Sequence, residues 1–320
     1  MLTTYRSGYC SPEDIEIRDV PSPVVGADEI LVRVHASSVN RTDVGVLRGQ
    51  PFIFRYFAGF PTPHHRATGT DFAGVVEFAG PRVTQFKPGD RVYGFDDTGL
   101  GTHAQYVTLT RRTAVLRIPE GLGFSDAVGM TEGAFYAINF VNRVDAGPGS
   151  RVLVIGGTGA IGSASIQILS ARGARVDAVA PIEHEALVKS LGATTVFDSA
   201  NSDFLVPGEP YDMVFDSVGK SRFADCRPLL TDDGAYLSSE LGPKGENLFL
   251  PALTRARGGP KVDFPIPRNL RDALLSVRKL AEEGKFRAVI DRTYPLEQVR
   301  EAFEYVESGQ KIGTVVLDLG

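Results

Sequence analysis

Between Arg151 and Ala164 the chain reads RVLVIGGTGAIGSA, a run that leaves few choices for the backbone. Val152, Leu153, Val154 and Ile155 are consecutive apolar residues, the pattern of a strand buried on both faces, and Ile161, Ile166, Ile168 and Leu169 supply the apolar face of a helix that follows. Between them, Gly157-Thr158-Gly159-Ala160-Ile161-Gly162 spells G-x-G-x-x-G. A strand, a glycine turn and a helix start form the arrangement that brings unpaired backbone N–H groups and the positive end of a helix dipole against a pyrophosphate. A side chain at Gly157 or Gly159 would block that approach, and a bare Gly162 lets the helix pack close to the strand. With 35 glycines in 320 residues an ordinary tight turn is the alternative, and the strand before and helix after the motif favour the dinucleotide.

A chain of 320 residues is long enough for about two domains with ample core. The net charge of −5 and the absence of any basic block exclude nucleic acid as the main partner. The first residues carry no charged-then-apolar leader and no apolar run reaches the ~18 residues of a membrane span, so the expectation is a soluble, cytoplasmic protein without a membrane partner. Cys10 and Cys226 alone cannot build a disulfide framework or a cysteine zinc knot.

Up to about residue 115 short β-runs alternate with Gly and Pro turns: Glu29–His35, Gly74–Phe78, Asp90–Gly94 and Ala104–Val107, the pattern of a small antiparallel barrel. After Gly147-Pro148-Gly149 strands alternate with helices. Strands are expected at 152–155, 175–180, 195–197, 213–216 and 235–239, with helices at 161–172 and 183–191, a βαβ series that predicts a doubly wound parallel sheet. Two amphipathic helices close the chain, one through Leu270 and Leu280 to Gly284, the other from Leu296 through Val306 to Gly309, before a last strand at 314–319.

Five strings, DEILVRVHA (28–36), SVNRTD (38–43), GTDFAGVV (69–76), FKPGDRV (86–92) and KIGTVV (311–316), occur in an order that resembles the medium-chain dehydrogenase/reductase superfamily over nearly the whole chain. The resemblance implies an α/β fold: a Rossmann doubly wound parallel sheet at residues 123–265 and a GroES-like β-barrel domain built from residues 1–122 and 266–320. Within that superfamily the chain resembles the zinc-independent, quinone-oxidoreductase-like (zeta-crystallin-like) branch. Zinc-dependent members carry a Cys where Asn40 stands, a His-Glu pair where Thr70-Asp71 stands, and a further Cys or Asp near Ala127 to Thr131. An amide and a hydroxyl do not replace those ligands, so no catalytic zinc is expected. The other route to a metal, His64, His65 or His103 converging with Asp71, is not favoured.

Without a metal the nicotinamide must supply the reactivity, and the protein position and polarisation. By resemblance, Asn40 is a candidate to donate to a carbonyl oxygen or hold the nicotinamide; as a residue it also reads as a turn-stabilising Asn before Arg41-Thr42-Asp43. Tyr56 is the one phenol near it in sequence, a weak acid that either donates a proton or simply packs. Thr131 and Glu132 match a stretch that contacts nicotinamide in the family, with Thr131 taken as the catalytic candidate. The segment Pro51–Phe60 holds five aromatics in ten residues and reads either as an apolar lid over a flat substrate or as a loop folded on the barrel.

Asp177 lies 20 residues beyond Gly157, where a ribose-binding acid is expected, but the family alignment moves that position to Ala180 and leaves Asp177 inside the strand. With no acid at Ala180, and with His184 where relatives carry a phosphate-binding Lys, NADP(H) is the expected cofactor; Glu183 and Glu185 keep NAD(H) open. Asp216, Val218 and Gly219 match the loop beside the nicotinamide ribose, and Ser239 ends the next strand beside the carboxamide. The resemblance therefore implies an NADPH-dependent oxidoreductase that reduces quinones or α,β-unsaturated carbonyls, apolar or aromatic small molecules, as a homodimer joined near Lys261–Phe264. An enoyl-thioester (CoA or ACP) reductase and a non-catalytic NADPH-binding or structural protein are the alternatives.

Overall fold

Along Glu29–Val39 burial alternates through Ile30, Val32 and Val34 and then becomes continuous from Ala36 to Val39. The strand is thus half-covered at its start and enclosed at its end, where it reaches the candidate residue Asn40. The computed structural model describes residues 1–320.

In chain order the elements are β1 (Leu2–Tyr5), β2 (Glu16–Asp19), β3 (Glu29–Val39), α1 (Arg41–Arg48), α2 (Phe54–Ala58), β4 (Asp71–Ala79), β5 (Arg91–Phe95), β6 (Tyr106–Thr110), β7 (Ala114–Arg117) and α3 (Phe124–Val128). There follow α4 (Glu132–Val141), β8 (Arg151–Ile155), α5 (Ala160–Ala171), β9 (Arg175–Ala180), α6 (Glu185–Ser190), β10 (Ala193–Asp198), β11 (Tyr211–Asp216), α7 (Phe223–Cys226), β12 (Leu230–Ser238), α8 (Glu246–Arg257) and β13 (Lys261–Asp263). The chain ends with α9 (Leu270–Glu282), β14 (Ile290–Pro295), α10 (Val299–Glu307) and β15 (Thr314–Asp318).

Two compact units emerge: Met1–Glu132 with Leu270–Leu275 and Ala288–Gly320, and Gly133–Asn269 with Ser276–Arg287. The first therefore runs to residue 132 where the sequence reading stops at 122, because α3 packs on β3 and β4. Its seven-stranded sheet has the order β14-β15-β3-β4-β5-β7, with β6 also paired to β3. All these pairings are antiparallel except β14 with β15. Val299, Ala302, Phe303 and Val306 of α10, at helical spacing, join Val32, Phe72 and Val315 in its core.

The second unit is a wholly parallel sheet in the order β10-β9-β8-β11-β12-β13. Val152, Leu153, Val154 and Ile155 are buried, as a strand covered on both faces requires. The strand order reverses between β8 and β11, and at such a switch point the chain leaves a crevice at the carboxyl ends of the strands. The glycine turn opens there.

Three segments depart from the pattern reading. Helix α8 has its polar Asn247 and Thr254 buried while Leu248, Phe249 and Leu253 are exposed, the reverse of an amphipathic helix on a core, and Pro251 interrupts it. Strand β14 carries mostly half-buried and exposed residues and gives no alternation. The aromatic segment forms the short helix α2, with Phe52, Tyr56, Phe57 and Phe60 all more than half exposed, so it is not folded down on the sheet as a plain packing loop. No helix is long and apolar enough to cross a membrane.

Candidate active site

In the first unit, β3 ends one residue before Asn40, which caps α1. Its Oδ1 accepts from the Asp43 N–H at 2.8 Å, and Asp43 Oδ2 accepts from the Asn40 N–H at 3.1 Å, a reciprocal capping box. The remaining amide donor, Nδ2, reaches Thr70 Oγ1 at 3.0 Å and, more weakly, Ser38 Oγ at 3.4 Å. Asn40 is 4% exposed and its amide is fully engaged. The turn-stabilising role is thus the one the geometry displays, and direct donation to a carbonyl needs either the Thr70 bond or the weaker Ser38 bond to open.

Beside it, Asp71 is buried at the start of β4. It accepts from the Ser38 N–H at 2.6 Å, Ser38 Oγ at 2.6 Å and Thr131 Oγ1 at 2.7 Å. Burial pushes its carboxyl up to about 6, against the pull of those donors. Burial, and next the charge of Asp71, hold the Asp43 carboxyl well above the usual carboxylate range. Glu132 accepts from Thr42 Oγ1 at 2.9 Å; burial raises it while the Lys311 ammonium pulls the other way. Three buried carboxyl groups thus gather around the end of β3, all biased towards the protonated form.

Asn40, Thr70 and Asp71, where the resemblance would put metal ligands, are thus bonded to one another or to this network. His103 is buried, with Nδ1 2.7 Å from Thr68 Oγ1 and Nε2 2.9 Å from the Ser38 carbonyl. A carbonyl only accepts, so the proton sits on Nε2; burial lowers the imidazole to about 4 and keeps it neutral. No group of three or more His, Cys, Asp or Glu side chains converges in a metal-binding geometry. Tyr56 stands apart from this network, 73% exposed on α2 with its ring edge-on to Phe52.

In the second unit the left-handed residue of the turn is Gly156, at φ +88°, rather than Gly157. The Gly156 and Gly157 N–H groups both donate to the Val179 carbonyl, at 3.0 and 2.9 Å, tying the turn to β9. A side chain at Gly157 would point inwards at Ile166, Ala178 and Val188, so its absence serves packing and not pyrophosphate approach. A Cβ on Gly159 would touch only the Gly156 carbonyl, at 3.5 Å, which leaves its outer side open. A Cβ on Gly162 would sit 2.1 Å from the Gly156 carbonyl oxygen, so close helix–strand contact is its task. The first ladder bond of α5 runs from Ser163 N–H to Gly159 C=O, leaving the amides of Ala160, Ile161 and Gly162 outside the helix ladder. With Thr158 they form an anion cradle at a helix N-terminus.

Around this cradle, Ala180 ends β9 with no acid side chain, His184 is half-buried and Glu183 exposed. Asp177 lies inside β9, buried, and accepts from Arg151 Nη2 at 2.8 Å and Tyr211 OH at 3.0 Å. Asp216 turns its carboxylate back on its own loop: Oδ1 takes the Val218 and Gly219 N–H groups at 3.1 and 2.8 Å, and Oδ2 the Ser221 N–H at 2.7 Å. It shapes the loop that carries Val218 and Gly219 and is not free for a ribose. Ser239, after β12, keeps a buried hydroxyl with no hydrogen-bond partner in the chain. An orphaned polar atom and an open amide cradle at one end of the sheet both fit a dinucleotide.

Residues 26–120 match the family described as Alcohol dehydrogenase GroES-like domain, and residues 191–317 the family described as Zinc-binding dehydrogenase. A phthioceranic/hydroxyphthioceranic acid synthase of Mycobacterium tuberculosis is 32% identical over 92% of the chain, and the chain spans 14% of its length. An NADPH-dependent alkenal/one oxidoreductase, chloroplastic, of Arabidopsis thaliana is 29% identical over 92% of the chain and 73% of its own length. The quinone oxidoreductase from Coxiella burnetii superposes with a TM-score of 0.87 at 25% identity, over 100% of this chain and 99% of that one.

Proposed function

Because the chain belongs to the medium-chain dehydrogenase/reductase superfamily, in its quinone-oxidoreductase-like branch, we propose that it is a zinc-independent, NADPH-dependent oxidoreductase acting on quinones or α,β-unsaturated carbonyls. The observation that carries the cofactor part of this reading is the set of free backbone amides at the start of α5, and the hydrogen bond from Asn40 to Thr70 at 3.0 Å supports its zinc-independent part, since it engages two positions where the family's zinc-dependent members carry ligands. When bound, the nicotinamide supplies the hydride.

The chain's own residues then bind and orient. Thr158, Gly159, Ala160, Ile161 and Gly162 receive the pyrophosphate on backbone amides. Ala180 leaves room for a 2′-phosphate, and His184 offers it a partner, which favours NADP(H) over NAD(H). Val218 and Gly219 border the ribose on the loop that Asp216 holds in shape, and the Ser239 hydroxyl gains the partner that it lacks within the chain. Asn40 and Thr131 keep the polar network of the first unit in register; Tyr56 remains a candidate proton donor from the exposed aromatic helix. That helix favours an apolar or aromatic acceptor. Edge strand β13, with the exposed Leu248, Phe249 and Leu253 of the adjoining α8, supports a homodimer, which the molar mass in solution tests.

A second reading, reduction of an enoyl thioester, stays beside the first, because an acid synthase of Mycobacterium tuberculosis is 32% identical over 92% of the chain. Following NADPH absorbance with a panel of quinones, enones and enoyl-CoA thioesters separates the two. Oxidation with quinones or enones supports the first, and turnover confined to thioesters replaces it. Tight NADPH binding with no oxidation by any acceptor would leave a binding protein.

A further inference from the structure

Just beyond β1, Arg6 is 2% exposed. Its guanidinium is anchored by two carbonyl acceptors: Nη1 donates to the Val46 carbonyl at 2.7 Å and Nη2 to that of His65 at 3.4 Å. Its Nε–H has no hydrogen-bond partner in the chain. Asp43, also 2% exposed, spends Oδ2 on the capping box with Asn40 and leaves Oδ1 without a partner. The Thr70 hydroxyl is close enough to steady that carboxyl, yet makes no hydrogen bond with Oδ1. Arg6 and Asp43 line one small cavity, together with Val46, Ala58, Thr68 and Gly69, and it offers about 10 Å³ to the centre of a water-sized sphere.

We infer that this cavity binds one integral water molecule, which accepts from Arg6 Nε–H and hydrogen-bonds to Asp43 Oδ1. The volume matches a single water. The chemistry selects it too. A cation is repelled by the guanidinium, and an apolar occupant would leave two buried polar groups unmet, whereas water can both accept from Arg6 and bond to Asp43 in either protonation state. The bridge links the N-terminal segment to the third residue of α1, the one whose carboxyl fixes Asn40 at the end of β3. Arg6 is thereby a positioning residue for the capping box, acting through the water.

A crystal structure of the full chain, at a resolution that shows ordered solvent, is expected to contain one fully occupied water within hydrogen-bond distance of both atoms. A cavity without density, or an Arg6 Nε–H bonded directly to Asp43, overturns the inference. Val46→Ile gives an independent measurement, because it adds one methyl group to the cavity wall. If the water is present it is displaced, and the midpoint of thermal unfolding falls by about 2–4 °C. If the cavity is dry the added methyl fills a void and the midpoint stays level or rises, which again overturns the inference.

Discussion

Asn40 Nδ2 donates to Thr70 Oγ1 at 3.0 Å, joining two residues that lie 30 apart in sequence. Where zinc-dependent relatives would aim ligands at a metal, this chain closes an amide–hydroxyl bond and uses the same Asn to cap α1. Replacing Asn40 by Ala removes the cap and orphans a buried threonine hydroxyl, a loss of about 2–3 kcal/mol in unfolding free energy. Asn40→Asp keeps the cap acceptor but adds a carboxyl beside Asp43 and Asp71. It is expected to be milder than Ala near pH 5 and as severe or worse near pH 8, where like charges are forced together. Denaturant titrations at the two pH values test this ordering; equal loss at both would contradict it.

Asp71 and His103 pull the pH dependence of stability in opposite directions. Asp71 binds its proton up to about 6 in the folded chain against an ordinary value of 3.8, so between these values the folded state holds more protons and stability falls as pH rises. His103 titrates at about 4 against an ordinary 6.5, so over that window the folded state holds fewer protons and stability rises with pH. Each effect is on the order of 3 kcal/mol. Asp71→Asn should therefore gain on the wild-type chain as pH is raised from about 4 to about 7, since Ser38 and Thr131 hydroxyls can turn to accept from the amide. His103→Gln should gain on it as pH is lowered over the same range. Melting curves across that range check both, and parallel profiles for all three proteins would refute the assignment.

The large divisions of the fold were legible because they follow from periodicity. The apolar run 152–155, the following helix and the alternating strands identify a parallel sheet, and Val299, Ala302, Phe303 and Val306 identify a buried helix face. Helix α8 was not legible, because tertiary contacts bury its Asn and Thr and leave its Leu and Phe outside. The polar network was legible only in part. Asn40 could be seen as a cap or as a site residue, but nothing local announces that Thr70 and Thr131 will arrive beside it and beside Asp71. In the glycine turn the motif drew attention to Gly157, whereas the strained position is Gly156, for which the Gly156-Gly157 doublet was the available signal. The orphaned hydroxyl of Ser239 has no sequence signature at all, since it depends on what fails to surround it.

Gly162 is the residue of that turn with least tolerance. An added Cβ would lie 2.1 Å from the Gly156 carbonyl oxygen and 2.9 Å from Ser217 Oγ, and the first is backbone that cannot rotate away. Gly162→Ala must push α5 off the end of β8, at a cost of about 1–3 kcal/mol as overpacking. It also tilts the free amides of Ala160 and Ile161. Both the thermal midpoint and the NADPH dissociation constant, measured by quenching of protein fluorescence or by calorimetry, are expected to worsen. Gly159→Ala meets only the Gly156 carbonyl, at 3.5 Å, so it should fold normally and lose NADPH affinity alone. If both variants lose stability equally, the division of labour within the turn is wrong.

On the proposed reading, cofactor choice rests on the end of β9, where Ala180 is buried and presents no acid. A carboxylate introduced there by Ala180→Asp would face the ribose hydroxyls of NADH favourably and repel a 2′-phosphate, the distinction that an acid at this place makes in doubly wound folds. The repulsion between that carboxylate and a 2′-phosphate is on the order of 1–2 kcal/mol, so NADPH affinity should fall about tenfold or more while NADH affinity holds or rises. His184→Ala separates the remaining contribution: it should weaken NADPH by a smaller factor and leave NADH unchanged, because only the phosphate has use for an imidazole. The two dissociation constants, measured side by side for the wild-type chain and both variants, decide the matter. An unchanged ratio in Ala180→Asp would mean that the 2′-position lies elsewhere than at the end of this strand.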